Sequence, residues 1–526
     1  MAQVSPHSSQ AHYYDEKEKG LVDHDVRVDE VQGADVVALN DGVDRKTGPF
    51  AKLWKAVLWL DKFGVEVRGI ERVPPNERNH TTIYDVMALW GSANLTISTF
   101  SLGTLGNSIW YLGLTDATLT ILFFNLFCTL PVALFSTWGK STGLRQMVIT
   151  RFSYGRWGVY FPVLLNCIAC IGWSTINTIV GASTLRAVSD THKLPNAVGI
   201  IIIALLTVFV ALFGYKYVHA FERYASIPIV VIFLIMLGEG APHFTTGYGG
   251  SGPVEAASVL SFGSAIAGFA LGWTSLAADY TVNFPENTSN LKVFLYTYVG
   301  LNVPLILVEF LGAAMMSTFT EKTTWGDDYT DGGLGGLLGA PLSPLGGFGK
   351  FLLVLLALSI VANNIPNMYS FALTFQVFGR HAQSIPRVFL VVLGTIIYII
   401  LAIIGASHFE EALNTLLTVL SYWLAIYTIV LIEEHYIFRG GSFSNYDLDS
   451  YNKNDLLPRG YAALLSTGFG IMGAVLGMSQ TWYVGVIAKK IGDPIYGGDI
   501  GFELSGSFAA VTYPLFRYLE HKHYGV

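Results

Sequence analysis

The sequence predicts an all-α polytopic membrane protein with about twelve transmembrane helices, five plus five of them related as inverted repeats and two more at the C-terminal end. Three observations predict it. Hydrophobic residues make up 52% of the chain and charged residues only 13%, about half the charge of an ordinary soluble domain. Apolar runs of span length recur from residue 86 to residue 518. Two of these runs, five apart in order, are interrupted by glycines and small polar residues, as expected of helices broken at a midplane site.

Residues 1–80 read as a cytoplasmic N-terminal tail. Their acidic and basic residues surround no apolar segment of signal-peptide type, and the stretch from Ala2 to about Asp44 has too few large apolar residues to form a core. Phe50 to Phe63 carries apolar residues at helical spacing and is expected to lie on the membrane surface. Val73-Pro74-Pro75 then stops any helix, because a proline disfavours the helical conformation in the residue before it.

The membrane domain spans 81–518. Its candidate spans are 86–108, 113–137, 158–187, 196–214, 225–239, 257–280, 292–318, 346–376, 388–406, 412–433, 461–478 and 500–518, each near the length a bilayer demands. The first, sixth and eighth are the least uniformly apolar. Residues 519–526 form a short cytoplasmic tail. Lys140, Arg145, Arg151 and Arg156 follow span two, Lys216 and Arg223 follow span four, and Arg380 and Arg387 follow span eight. By the positive-inside rule these loops and both termini are cytoplasmic. The opposite side holds Glu321, Asp327, Asp328 and Asp331 in a Gly-rich loop, with Lys489 and Lys490 as exceptions to the rule.

Span one reads Trp90-Gly-Ser-Ala-Asn-Leu-Thr-Ile-Ser-Thr-Phe-Ser-Leu-Gly103, and span six carries Gly263, Gly268 and Gly272 before Trp273. Small residues also serve close helix packing, but matching positions in two halves point to broken helices around a binding site. In span three, Trp173 and Asn177 are four apart and share a face. An indole plate beside a carboxamide suits a planar heterocycle with mixed donors and acceptors, although an interhelical Asn hydrogen bond would leave the same trace.

Span eight carries Asn363-Asn364-Ile365-Pro366-Asn367. Three carboxamides are costly in hydrocarbon, and Pro366 frees the carbonyl of Ala362. The helix is therefore expected to open locally where the amides cluster, as a functional site. Glu309 within span seven and Asp279 at the cytoplasmic end of span six are candidates for proton coupling, with structural ion pairing as the alternative.

Other classes are excluded or disfavoured. With 31 Lys and Arg against 38 acids, no basic stripe for nucleic acid is present. Cys128, Cys167 and Cys170 lie in apolar runs and read as packing residues. The Cys167-x-x-Cys170 spacing has no second pair or His cluster that would make it a metal site. All twelve histidines lie in loops, tails or span ends, so nothing at membrane depth resembles an enzyme's catalytic constellation. No cofactor is expected.

Several stretches carry a resemblance: Phe63 to Pro75, Trp90 to Leu95, Gly272-Trp273, Asp279-Tyr280 and Asn363 to Asn367. From about Phe50 onward the chain closely resembles the fungal purine-cytosine permeases of the nucleobase-cation-symport-1 family. The resemblance implies a LeuT-type fold and proton-coupled import of cytosine, adenine, guanine and hypoxanthine at the plasma membrane. It implies that the base sits between Trp173 and Trp273, with Ser98, Asn177, Asn363, Asn364 and Asn367 as polar contacts and Pro366 shaping the backbone. Sodium-coupled relatives use carbonyls and hydroxyls of spans one and eight, whereas span eight here has carboxamides and a proline, so protons are favoured over sodium. A permease for uracil, allantoin or thiamine, or a sensor on the same scaffold, is the alternative.

Overall fold

The computed structural model describes residues 50, 52–55 and 69–525, apart from 190, 193, 213, 214, 247–249 and 494. Fourteen main helices organise it: α1 (Tyr84–Asn94), α2 (Ile97–Ser108), α3 (Leu114–Thr142), α4 (Tyr160–Arg186), α5 (Asn196–Leu212), α6 (Tyr215–Gly240), α7 (Pro253–Gly272), α8 (Asn290–Ser317), α9 (Thr323–Gly339), α10 (Gly347–Gln376), α11 (Arg387–Gly405), α12 (Phe409–Glu433), α13 (Tyr461–Gly477) and α14 (Gly501–Tyr524). The α1–α2 pair, then α3 to α8, then α10 to α14 coincide with the twelve expected spans. Among the described residues seven helical stretches are long and apolar enough to cross a membrane, one of them, Arg387–Phe438, holding two expected spans. The Gly-rich acidic loop is mostly helix α9, kinked at Gly333, where sequence favoured a loop.

Packing divides the bundle into two groups, each made of two consecutive spans and the two spans five places further on. Spans one, two, six and seven pack together through α1, α2, α3, α7 and α8. Spans three, four, eight and nine pack together through α4, α5, α10 and α11. The α13–α14 pair leans on α12.

Span one breaks after Asn94. Leu95 (φ −81°, ψ 66°) and Thr96 (φ −138°, ψ 162°) leave helical geometry before α2 begins. Side chains that compete for backbone partners flank the break: Asn94 Nδ2 donates to Trp90 O at 2.9 Å and Ser92 Oγ to Leu89 O at 3.1 Å, the local bonding that disfavours uninterrupted helix. Span six breaks at the matching place. After Gly272 the chain tightens into a 3₁₀ turn, Trp273–Ser275, passes Leu276 (φ −141°, ψ 4°) and makes a second turn, Ala277–Tyr280.

Glycine sets one close approach. A Cβ on Gly103 of α2 would lie 1.8 Å from the Glu309 carbonyl oxygen, and one on Gly312 of α8 would lie 2.0 Å from that of Phe100. The two backbones touch directly, as small residues permit between membrane helices.

Part of 70–80, assigned to the tail by sequence, is packed, while Pro75, Asn76, Glu77 and Asn79 are exposed. Ile70 and Val73 are buried, and the Arg78 guanidinium donates to the carbonyls of Val73, Lys140 and Thr142 at 2.9, 2.9 and 3.1 Å. Of the expected surface helix at 50–63, residues 52–55 are helical. Trp54 is buried there, donating to Ser384 O at 2.7 Å, so at this point the segment meets protein and not lipid. Residues 56–63, and the tail from 1 to 49, lie outside the described residues.

Candidate functional site

A cavity lies where α4, α10 and the break of span six converge. Four residues of α4 line it, Asn166, Ala169, Cys170 and Trp173. They are spaced three, four and seven apart, so they form one helix stripe. Phe269, Gly272, Trp273 and Leu276 contribute from span six, and Asn363 and Asn367 from α10.

The aromatic walls are fixed by their neighbours. Trp173 meets Phe269 edge to face, with centroids 4.9 Å apart and planes at 82°. Trp273 is held at two points: its indole N–H donates to Asn94 Oδ1 at 3.2 Å, and its ring meets Trp90 edge-on at 5.4 Å. Both contacts come from α1, so the two broken spans position this plate jointly.

The polar residues divide into two layers. Asn363 and Asn367 border the cavity. Asn363 Nδ2 donates to the carbonyl of Ala93 at the end of α1, and Asn367 Nδ2 donates to Asn363 O at 3.3 Å. Behind them Ser98, Asn177 and Asn364 form a buried network that does not line the cavity. Ser98 Oγ donates to Asn177 Oδ1 at 2.6 Å, Asn177 Nδ2 donates to Asn363 Oδ1 at 2.5 Å and to Asn364 Oδ1 at 2.9 Å, and Asn364 Nδ2 donates to Thr178 Oγ1 at 3.1 Å. Asn177 was expected to share the space of Trp173. One turn along α4 and rotated by about 40°, it instead points between α2 and α10.

Pro366 does not open its helix. α10 runs unbroken from Gly347 to Gln376, contrary to the local opening expected from sequence. The amides around it bond across to α4 and α1, and neighbouring helices and polar side chains are what allow a proline inside a membrane helix.

The two acidic candidates lie away from the cavity. Glu309 is fully buried on α8, where its Oε2 accepts from Asn125 Nδ2 at 2.6 Å while Oε1 has no hydrogen-bond partner among the described residues. Asp279 is buried in the second turn of the span-six break. Its Oδ1 accepts from Gln146 N–H at 2.7 Å, and its carbonyl accepts from Arg145 Nη1 at 2.7 Å. Asp279 thus ties the loop after span two to the broken helix.

Sequence reasoning missed Asn166, which donates through Nδ2 to Thr374 Oγ1 at 2.8 Å and has an Oδ1 without a hydrogen-bond partner among the described residues. Its spacing of seven from Trp173 was the available signal. It also missed Phe269, and it placed Cys170 among packing residues where the structure puts it on the cavity wall.

Residues 72–493 match the family described as permease for cytosine/purines, uracil, thiamine, allantoin. The purine-cytosine permease fcyB of Emericella nidulans is 47% identical over 479 residues, covering 90% of this chain and 92% of the relative. The purine-cytosine permease FCY21 of Saccharomyces cerevisiae is 39% identical over 464 residues, covering 88% and 87%. The fold is similar to that of Mhp1, a nucleobase-cation-symport-1 family transporter solved in a closed conformation with bromovinylhydantoin bound. The TM-score is 0.66 at 16% identity, covering 86% of this chain and 96% of that one. The architecture is thus the LeuT-type one, all-α, with five plus five inverted helices and two C-terminal spans, and its purpose is transport and not catalysis. The chain belongs to the family of permeases for cytosine/purines, uracil, thiamine and allantoin.

Proposed function

We propose that the chain is a proton-coupled secondary transporter that imports cytosine and the purines adenine, guanine and hypoxanthine across the plasma membrane, with both termini in the cytoplasm. One observation carries the substrate class. Two indole walls, Trp173 and Trp273, border the same cavity as three carboxamides, Asn166, Asn363 and Asn367. Flat apolar faces accept any base by stacking, while the amides offer donors and acceptors at the ring edge. Relatives named purine-cytosine permeases support the same reading.

Binding and movement are joined in this site. A base lying against Trp273 touches a side chain held by Asn94 and Trp90, so its contacts bear on both broken spans. A ligand shifts a conformational equilibrium only through contacts that differ between the two states, and an indole anchored across two hinges supplies such contacts. For the coupling ion, Glu309 offers a buried carboxyl on α8, whose backbone abuts that of span one at Gly103. The positive-inside pattern supports the orientation.

Uptake of radiolabelled cytosine by cells expressing the chain tests this. Uptake should rise as external pH falls, collapse with a protonophore and be unaffected when choline replaces sodium. Loss of uptake in choline medium at constant pH would refute proton coupling. Binding of cytosine without concentrative uptake would identify a sensor.

A further inference from the structure

A second, separate cavity opens on the side of the bundle, between the start of α4, the middle of α12 and α13. Tyr154, Leu165, Trp423, Ile426, Val475 and Met478 are among its walls, and it holds about 240 Å³ with one side open, a little under the range usual for small-molecule sites. Its few hydroxyls are already used inside the protein: Tyr154 with Thr467 at 3.2 Å, Tyr427 with Thr150 at 2.9 Å and Tyr422 with Asp499. The groove therefore has only hydrocarbon to offer a guest.

The end of the groove near Tyr154 is cationic. The loop at Pro458–Gly460 is pressed against Tyr154 and Gly155, so closely that a Cβ on Gly155 would lie 2.1 Å from Pro458 O and one on Gly460 1.9 Å from Tyr154 O. This brings the backbones of Arg156 and Arg459 together beside Tyr154, at that end of the groove. Among the described residues neither arginine is paired with a carboxylate, and Arg156 Nε has no hydrogen-bond partner. Each lies over an aromatic ring, Arg156 over Trp157 at 5.8 Å and Arg459 over Tyr524 at 5.9 Å. Trp157 is 67% exposed, as befits a residue at the level of lipid headgroups.

From this juxtaposition we infer that the groove holds an anionic glycerophospholipid, one acyl chain lying along α12 between α4 and α13 and the whole net-negative headgroup set between Arg156 and Arg459. A basic pocket at the interfacial end of an apolar crevice between spans is the arrangement that selects acidic lipids. On the orientation proposed above, the lipid belongs to the inner leaflet. The lipid also has a mechanical role. Tyr427, in the groove wall, shares its hydroxyl with Thr150 and Gln146, and Gln146 holds Asp279. A chain packed on Tyr427 thus braces the turn that secures the broken end of span six.

Native mass spectrometry of the full chain, delipidated in detergent and titrated with phosphatidylserine, phosphatidylcholine, a sterol or inorganic phosphate, tests the inference without recourse to transport. Each arginine near a headgroup contributes a factor of roughly five, so phosphatidylserine should be retained about thirtyfold more tightly than phosphatidylcholine. Arg156→Ala with Arg459→Ala should abolish that preference while leaving some lipid bound. Val475→Trp, which narrows the groove at its exposed rim, should weaken both phospholipids together. Melting temperatures within a few degrees of wild type confirm that the variants fold. Equal retention of the two phospholipids by wild type, a preference that survives loss of both arginines, displacement of phospholipid by the sterol, or binding of inorganic phosphate as tight as that of phosphatidylserine would each overturn it.

Discussion

The Ser98 hydroxyl donates a 2.6 Å hydrogen bond to Asn177 Oδ1, and this bond occupies the acceptor that sequence reasoning had offered to the ligand. Asn177 Nδ2 is shared between Asn363 and Asn364, so the whole carboxamide serves helix packing. Asn177→Ala should therefore leave three buried partners unsatisfied, at about 1–3 kcal/mol for each group left unpaired. The expected result is a melting temperature lower by several degrees and a uniform fall in affinity, with the ranking of cytosine, adenine and hypoxanthine unchanged. Asn166→Ala and Asn363→Ala, at the cavity wall, should change the ranking. Competition curves against labelled cytosine, with surface delivery checked, separate the two classes; an altered ranking in Asn177→Ala at an unaltered melting temperature would return Asn177 to the binding site.

The two indoles should differ in how far phenylalanine can replace them. Stacking on an aromatic face contributes about 1–3 kcal/mol per base, so Trp173→Ala and Trp273→Ala should each weaken every base roughly ten- to a hundredfold. Trp173→Phe keeps a face and loses no bond of the framework. Trp273→Phe also keeps a face but strips Asn94 Oδ1 of its 3.2 Å donor. It should therefore be the worse of the two phenylalanine variants, in affinity and in melting temperature. Equal effects would mean that the Asn94 contact does not hold the plate.

Cys170 supplies a labelling assay. All three cysteines are buried, and of them Cys170 alone lines the cavity. A small methanethiosulfonate reagent should inactivate uptake in a chain that retains only Cys170, excess cytosine should protect it, and a chain carrying Cys170→Ser should be insensitive. Inactivation that cytosine does not slow would place the base somewhere other than this cavity.

Glu309→Gln keeps the volume and the polar contact to Asn125 but removes the exchangeable charge. It should bind cytosine within a few-fold of wild type and lose the pH dependence of uptake. A normal pH profile at normal surface expression would show that Glu309 only braces α8 against α3.

Much of this arrangement could be read from the residues in order. The two broken spans were legible because glycines and small polar residues at matching places contradict the uniform apolarity that lipid demands. The carboxamide cluster was legible for the same reason. What could not be read was direction. Asn177 and Trp173 share a face by count, yet the 40° offset between them sends one side chain into the cavity and the other between helices. A solitary Asn166 in an apolar run gave no local contrast, and only its register with Trp173 marked it. Helix α9 was missed because Gly332, Gly333, Gly335 and Gly336 weigh against helix by propensity, which tertiary packing of Leu334, Leu337 and Leu338 overrides.

Gly103 and Gly312 bring two backbones into contact with no side chain between them. Such a joint has no lubricating layer: sliding α2 against α8 would drive carbonyl oxygens into neighbouring backbone atoms. The second half of span one and the whole of span seven therefore travel as one rigid lever. Whatever rotation opens the cavity must be taken up at the few residues already released from helical geometry, Leu95 and Thr96 on one side and Leu276 on the other. An alanine at Gly103 would act as a wedge in the lever. Altered residues at Leu95 or Leu276 would act on the pivot, changing the rate of transport while leaving the lever whole.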